Sequence, residues 1–193
     1  MPDETNPFLG RRGIRTLLAY PEMFAIQARA FLRISLNHKV RILAPMVTFA
    51  EEMLKARLAI QREAKTLGIK EIPPLGAMIE TPAAALCAAR IAECSDFISV
   101  GTNDLTQYTL AAGRENARVS DYFVEDHPSV LRLICTVINE SGSDSISVCG
   151  ELAGRQESLP RLLQCGVRVL SMAPPLIPAV KDALRRMSVA EGA

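Results

Sequence analysis

The sequence predicts an α/β fold, and three observations carry that reading. Short β-branched apolar runs alternate with longer stretches of helical spacing, the pattern of parallel strands joined by right-handed crossovers. Of the 193 residues 49% are hydrophobic and 22% charged, enough apolar material for a packed core and too much for a disordered chain. The polar residues richest in chemistry stand just after the apolar runs, where parallel α/β folds place their ligands.

Taken in order, the stretch from about Glu22 to Ser35 reads as a helix whose preceding strand is missing from the sequence. Val40 to Met46 reads as a strand, and Phe49 to Leu67 as an amphipathic helix rich in Glu, Lys, Ala and Arg, closed by Gly68. Leu75 to Glu80 is the second strand. Thr81-Pro82 supplies an N-cap and a first-turn proline to a helix running through Ala92, so rich in Ala, Leu and Ile that it is expected to be largely buried or packed at an interface. Phe97 to Val100 is the third strand, leading through Gly101-Thr102-Asn103-Asp104 into another helix-prone segment. A helix over Ser129 to Ile138 precedes the strand Ile146 to Cys149, and a helix over Glu157 to Cys165 precedes the strand Val167 to Met172.

Composition excludes several classes. With 22 Lys+Arg against 21 Asp+Glu, the charge balance gives no footprint for nucleic acid or an anionic membrane surface. Five cysteines at irregular spacing without a CxxC pair, and two histidines, indicate neither a disulfide framework nor a zinc site. The acidic, polar start is unlike a signal peptide, and no apolar run approaches the roughly 20 residues of a bilayer span. The expectation is a cytoplasmic domain with free thiols, in which Cys87, Cys135 and Cys165 behave as small buried hydrophobes.

The strand ends collect Glu80, Thr102-Asn103-Asp104 and Cys149-Gly150-Glu151. Glu80 and Asp104, from separate strand ends, suit a hard divalent cation such as Mg²⁺, which takes one or two protein carboxylates and completes its shell with phosphate oxygens and water. Each acid taken singly reads equally well as a helix-start cap.

Four strings carry a resemblance: Asn6-Pro-Phe-Leu-Gly-Arg-Arg-Gly-Ile-Arg15, Met78-Ile-Glu-Thr-Pro-Ala-Ala-Ala85, Gly101-Thr-Asn-Asp-Leu-Thr-Gln-Tyr108 and Cys149-Gly-Glu-Leu-Ala-Gly154. In this order they resemble the phosphoenolpyruvate-binding domain of enzyme I of the bacterial sugar phosphotransferase system, from about Asn6 to Met187. The related pyruvate phosphate dikinases and phosphoenolpyruvate synthases share the Gly-Thr-Asn-Asp and Cys-Gly-Glu elements, but the Leu-Thr-Gln-Tyr-Thr-Leu and Cys-Gly-Glu-Leu-Ala-Gly wording is closer to enzyme I.

The resemblance implies a phosphoenolpyruvate/pyruvate-type TIM (β/α)₈ barrel, of which this chain would hold about the last five strands. A single domain over 1–193 would lack the first three, in keeping with a length below the roughly 250 residues of a complete barrel; residues 1–5 and 188–193 would be flexible ends. It implies Mg²⁺-dependent phosphoryl transfer from phosphoenolpyruvate to a protein histidine, giving pyruvate. Glu80 and Asp104 would hold the metal, Asn103 would donate to the phosphate, and Arg12 and Arg114 would clamp phosphate oxygens with paired donors. Cys149 would be the general acid at C3 of enolpyruvate, its reference pKa of about 8.5 leaving it mostly protonated near neutrality.

Neither His38 nor His127 stands in the context of the family's phosphoryl-accepting histidine, which lies on a separate domain. His127-Pro128-Ser129 reads instead as a helix start. A histidine phosphocarrier protein would be met through domains absent from this sequence, and self-association as a homodimer is implied, with activity of the chain alone in doubt. Two departures stand out: Arg155 where the family usually has an acid, and Gly113 where an acid commonly precedes the arginine. Other readings are a fragment of a dikinase or synthase, or a non-catalytic partial-barrel binding or assembly module.

Overall fold

The computed structural model describes residues 4–142 and 146–187. Its centre is a five-stranded, all-parallel sheet in the order β1-β2-β3-β4-β5, the strands being Ile42–Val47, Leu75–Ile79, Ile98–Gly101, Ile146–Cys149 and Val169–Ser171. Sequential order with every neighbour parallel is what successive right-handed crossovers produce. Each predicted strand is present. The last is cut to three residues, with Val169 and Ser171 exposed, so the edge beyond β4 is short.

The helices follow the apolar spacing. Ahead of β1 stand α1 (Ile14–Ala19) and α2 (Pro21–Ser35); the latter buries Phe24, Ala28 and Leu32, one face at i, i+4, i+8. Between β1 and β2, α3 (Ala50–Thr66) buries Met53, Ala56, Ile60 and Ala64. Its start is closed by Glu52, whose carboxylate accepts from the backbone N–H groups of Thr48 and Phe49 at 2.7 and 2.9 Å. α6 (Thr102–Leu110) starts directly at the end of β3, α7 (Pro128–Glu140) precedes β4, α8 (Leu159–Gln164) precedes β5, and α9 (Ile177–Arg186) follows it. Strand residues Ala77, Ile79, Ile98, Val100 and Val148 join Ile134 and Val137 of α7 in one continuous core. Among the described residues no helix is long and apolar enough to cross a membrane.

Three expectations change. The apolar helix after Thr81 is broken into α4 (Pro82–Leu86) and α5 (Ala88–Glu93), because Cys87 leaves helical geometry at φ −118°, ψ 23° and its N–H closes a tight turn onto Ala84. The break turns Leu86 and Cys87 out to solvent, so Cys87 is not a buried hydrophobe and the segment is not uniformly covered. The thiols are not all free: Cys135 on α7 and Cys165 at the end of α8 form a disulfide with Cα atoms 4.7 Å apart. Their 30-residue separation carries no local signature, and the pair arises because α7 and α8 flank the same strand, β4. The helix expected from Glu157 begins instead as a 3₁₀ turn over Gln156–Ser158.

The capping expectations hold. Thr81 Oγ1 accepts from the Ala84 N–H at 3.2 Å, and His127 Nδ1 accepts from the Ser129 N–H at 3.2 Å as the N-cap of α7. Of the proposed flexible ends, residues 1–3 and 188–193 lie outside the described residues.

Candidate functional site

At the carboxyl ends of β1 to β4 the sheet assembles a cluster around Glu80, the residue that follows β2. Glu80 is 5% exposed and lies beside Gly101, where an added Cβ would stand 2.8 Å from Glu80 Oε2. Only glycine at the end of β3 leaves the carboxylate room. Its partner comes from β1: the Met46 N–H donates to Glu80 Oε1 at 2.6 Å. Met46 can do so because β1 shifts register against β2 between Ala44 and Val47 and Met46 takes a left-handed backbone at φ 60°. A non-glycine residue in that region stores strain of about 1–3 kcal/mol, found where surrounding structure holds it for a purpose. Here the bulge aims a backbone donor at a buried acid.

Asp104 stands in the first turn of α6, and Arg12 grips it as a fork, NH1 to Oδ1 at 2.8 Å and NH2 to Oδ2 at 3.2 Å. Arg12 NH1 also donates to the Tyr108 hydroxyl at 3.1 Å; Tyr108, one turn beyond Asp104 on the same helix face, donates in turn to the Phe8 carbonyl. The Phe8 ring lies beneath the guanidinium, 5.6 Å from it. The arginine is therefore held by the motif that carries it as well as by the acid it faces.

Burial pushes the Glu80 carboxyl up to about 7, against the Met46 N–H that lowers it, and the neighbouring Asp104 charge raises it further. Asp104 has Arg12 as its counter-ion, and among the described residues Glu80 has none within hydrogen-bonding reach. The Tyr108 hydroxyl is raised chiefly by burial, so it remains a donor.

Cys149 ends β4 directly opposite Gly101. Its thiol contacts Ser99 Oγ at 3.5 Å and the Val100 carbonyl at 3.4 Å, and Ser147 Oγ donates to Ser99 Oγ at 3.0 Å. Burial raises the thiol above its ordinary value, the Ser99 contact opposes this, and the Glu80 charge adds to it. The group is a protonated thiol at neutral pH, able to give a proton and unsuited to act as a thiolate nucleophile. Next to it the Thr102 hydroxyl donates to the Cys149 carbonyl at 2.9 Å and Asn103 Oδ1 accepts from the Glu151 N–H at 3.0 Å. That contact fixes the Asn103 amide, so its NH₂ is the end available to an acceptor.

The structure thus brings together Glu80, Asn103, Asp104, Cys149 and Arg12. Arg114 is not gathered in: its backbone N–H is tied to Gln107 Oε1 at 3.0 Å and its guanidinium approaches Glu115 at 3.9 Å. Sequence reasoning did not single out Met46, Ser99 or Tyr108. Tyr108 alone had a signal, its i+4 spacing from Asp104.

It also missed an ion pair at the mouth, where Arg155 NH2 reaches Glu125 Oε2 at 2.5 Å. The Glu125 side chain is 2% exposed, neither of its oxygens receives a hydrogen bond of normal geometry, and burial outweighs Arg155 in raising its pKa.

Glu80 and Asp104 supply oxygen donors only, the preference of a hard divalent cation, and Glu80 is a buried acid lacking a cation of its own. Among the described residues no third His, Cys, Asp or Glu joins them, so the remaining ligands of such an ion would be substrate or water oxygens. An apolar cleft of about 420 Å³ between α1, α2 and β1 has no charged side chain in its lining and is not where this chemistry sits.

Comparison with known proteins adds an independent line. The family described as PEP-utilising enzyme, PEP-binding domain, matches residues 1–189. The chain is 40% identical over 198 residues to a phosphoenolpyruvate-protein phosphotransferase of Listeria monocytogenes, covering 99% of this chain and 35% of that protein. To the protein of the same name from Staphylococcus epidermidis it is 43% identical over 180 residues, covering 90% of this chain and 32% of the relative. The chain therefore spans about a third of the length of the curated relatives it matches. Among solved structures, a citrate lyase from Burkholderia xenovorans superposes with a TM-score of 0.63 at 19% identity, over 82% of this chain and 53% of that one, a likeness of fold.

Proposed function

This chain belongs to the PEP-utilising enzyme family through its PEP-binding domain, and from that premise we propose that it is the phosphoenolpyruvate-binding part of a phosphoenolpyruvate–protein phosphotransferase. The observation that carries the reading is the meeting of Glu80, Asn103, Asp104, Arg12 and a protonated Cys149 at adjacent strand ends. No packing requirement calls for that set.

Glu80 and Asp104 are the residues that would hold Mg²⁺, and the bound ion would offset phosphate charge and the charge developing on the enolate oxygen. Arg12 offers a planar pair of donors to phosphate oxygens, and the Asn103 NH₂ group, oriented by Glu151, offers another. Arg114 joins the phosphate once its side chain turns inward. When the phosphoryl group has left, the Cys149 thiol gives its proton to C3 of enolpyruvate, the new C–H bond forming as the S–H bond breaks, and pyruvate results. Positioning and charge neutralisation supply most of the catalysis.

The phosphoryl acceptor is a histidine on another domain, which passes the group to a histidine phosphocarrier protein. The working protein is a cytoplasmic homodimer serving sugar uptake. The names carried by the relatives favour this reading over a dikinase, a synthase or a non-catalytic module.

Calorimetric titration tests it. Phosphoenolpyruvate with Mg²⁺ is expected to bind saturably to the wild-type chain, and Asp104→Asn is expected to weaken binding roughly a hundredfold, since it removes a charged ligand of the cation. Absence of saturable binding to a folded wild-type chain would overturn the assignment.

A further inference from the structure

Asp104 already faces a cation, and a divalent ion at the same carboxylate would meet the charge of the Arg12 guanidinium. Both of its carboxylate oxygens are taken by the Arg12 fork, at 2.8 and 3.2 Å, and one Glu80 oxygen is taken by the Met46 N–H at 2.6 Å. An ion seated between Glu80 and Asp104 therefore needs an oxygen that the guanidinium now holds.

Arg12 has somewhere to go. It is suspended from groups of its own segment and of α6, the Phe8 ring beneath it and the Tyr108 hydroxyl beside it. Tyr108 is itself anchored to the Phe8 carbonyl. None of these contacts is made through Asp104, so the arginine can leave Asp104 without losing its mooring. With the guanidinium and Asp104 side chains 32% and 21% exposed, the pair is reachable by a ligand.

We propose that Arg12 competes with a divalent cation for Asp104, holding it until an anionic phosphate draws the guanidinium away. Cation and phosphorylated substrate then bind as a coupled pair. Each makes room for the other: the phosphate removes the competitor for Asp104, and the cation compensates the acids that the arginine has left. By reciprocity, the cation strengthens phosphate binding by the same factor that the phosphate strengthens cation binding. The inference rests on the phosphoenolpyruvate reading for the identity of the anion, and on the fork alone for the competition.

Mn²⁺ titration of the full chain, read by electron paramagnetic resonance of the free ion, separates the two. Without any phosphate compound, Arg12→Gln is expected to bind Mn²⁺ roughly tenfold more tightly than wild type, the value of one charge-assisted fork released. Arg15→Gln is the control for a general loss of positive charge: Arg15 lies nearby but donates to the carbonyls of Leu9 and Gly10 and to Thr48, not to Asp104. Its affinity is expected to stay within about twofold of wild type, because long-range charge at a solvated surface is screened. Asp104→Asn in the Arg12→Gln background is expected to abolish the gain.

Added phosphoenolpyruvate is expected to tighten Mn²⁺ in the wild type and to lose that effect in Arg12→Gln. Equal or weaker Mn²⁺ binding by Arg12→Gln, an equal gain in Arg15→Gln, or no Mn²⁺ binding by any variant would overturn the proposal. A tenfold gain in Arg12→Gln with no effect of phosphoenolpyruvate on the wild type would uphold the competition and sink the substrate reading instead.

Discussion

Two carboxylates are buried near the strand ends, and they are treated in opposite ways. Glu80, after β2, is surrounded by regular elements: the β1 bulge supplies a backbone donor, Gly101 of β3 makes room, and no cation among the described residues touches it. Glu125 lies in the connection between α6 and α7, has no backbone donor, and is met by Arg155 from the turn after β4. The first offers its carboxylate to positive charge from outside the chain. The second is a closed account of structure, a latch between two loops. Burial alone therefore does not mark a functional acid; what distinguishes Glu80 is a donor arranged for one oxygen while the charge itself is left uncompensated.

The strongest way to break that contrast is Glu80→Gln. The folded carboxyl keeps its proton up to about pH 7, whereas its unperturbed value is 4.5. Its contribution to stability is then full below about pH 4.5 and is lost as pH rises through 7. Gln keeps the oxygen that accepts from Met46 and never ionises. It is expected to match wild type near pH 4 and to exceed it by about 3 kcal/mol at pH 8, measured by urea unfolding across the pH range, while losing divalent-cation binding. A variant that is less stable than wild type at pH 8 would make Glu80 a structural acid like Glu125.

Arg155→Ala probes the other member and should have the opposite sign. It leaves Glu125 buried with no counter-ion, a loss of about 2 kcal/mol at pH 8, discounted because Arg155 itself is half exposed. The loss is expected to shrink when the measurement is repeated at an acidic pH, because Glu125, its pKa already raised by burial, takes up a proton as pH falls. Chemical denaturation at the two pH values measures it. A pH-independent loss would mean that Arg155 acts through packing, not charge.

The difference between the two acids also explains what could be read in advance. Strand ends were legible because apolar runs stop where ligand-facing residues begin, so Glu80, Asp104 and Cys149 could be singled out one by one, and the motif strings brought Arg12 and Asn103 to the same place. The contacts that make them a site were not legible. The Met46 donor depends on a register shift inside a strand that reads as regular, and the Arg12 fork spans 92 positions of sequence. Glu125–Arg155 and Cys135–Cys165 are closed by loops and helix ends whose paths no periodicity encodes. Arg155 was visible only as a departure from the family's acid; the buried Glu125 opposite it gives that departure a physical reason. The break at Cys87 went unseen because Ala and Leu favour helix on either side of it, and one residue's geometry overrode them.

The smallest test concerns the mooring that lets Arg12 move. Tyr108→Phe keeps the ring and the fork to Asp104 but removes the donor to the Phe8 carbonyl and the acceptor for Arg12 NH1. The bond to Phe8 is neutral and the one from Arg12 is charge-assisted but leaves the fork to Asp104 in place, so the net loss is about 1–2 kcal/mol and thermal unfolding should shift by a few degrees. Cation affinity without phosphate should stay within about twofold of wild type, far short of the gain in Arg12→Gln, since the Tyr108 contact holds the arginine whether or not it grips Asp104. If Tyr108→Phe instead weakened cation binding, the tyrosine would be shaping Asp104 through α6, and the cation site would owe its geometry to the helix and not to the arginine that competes for it.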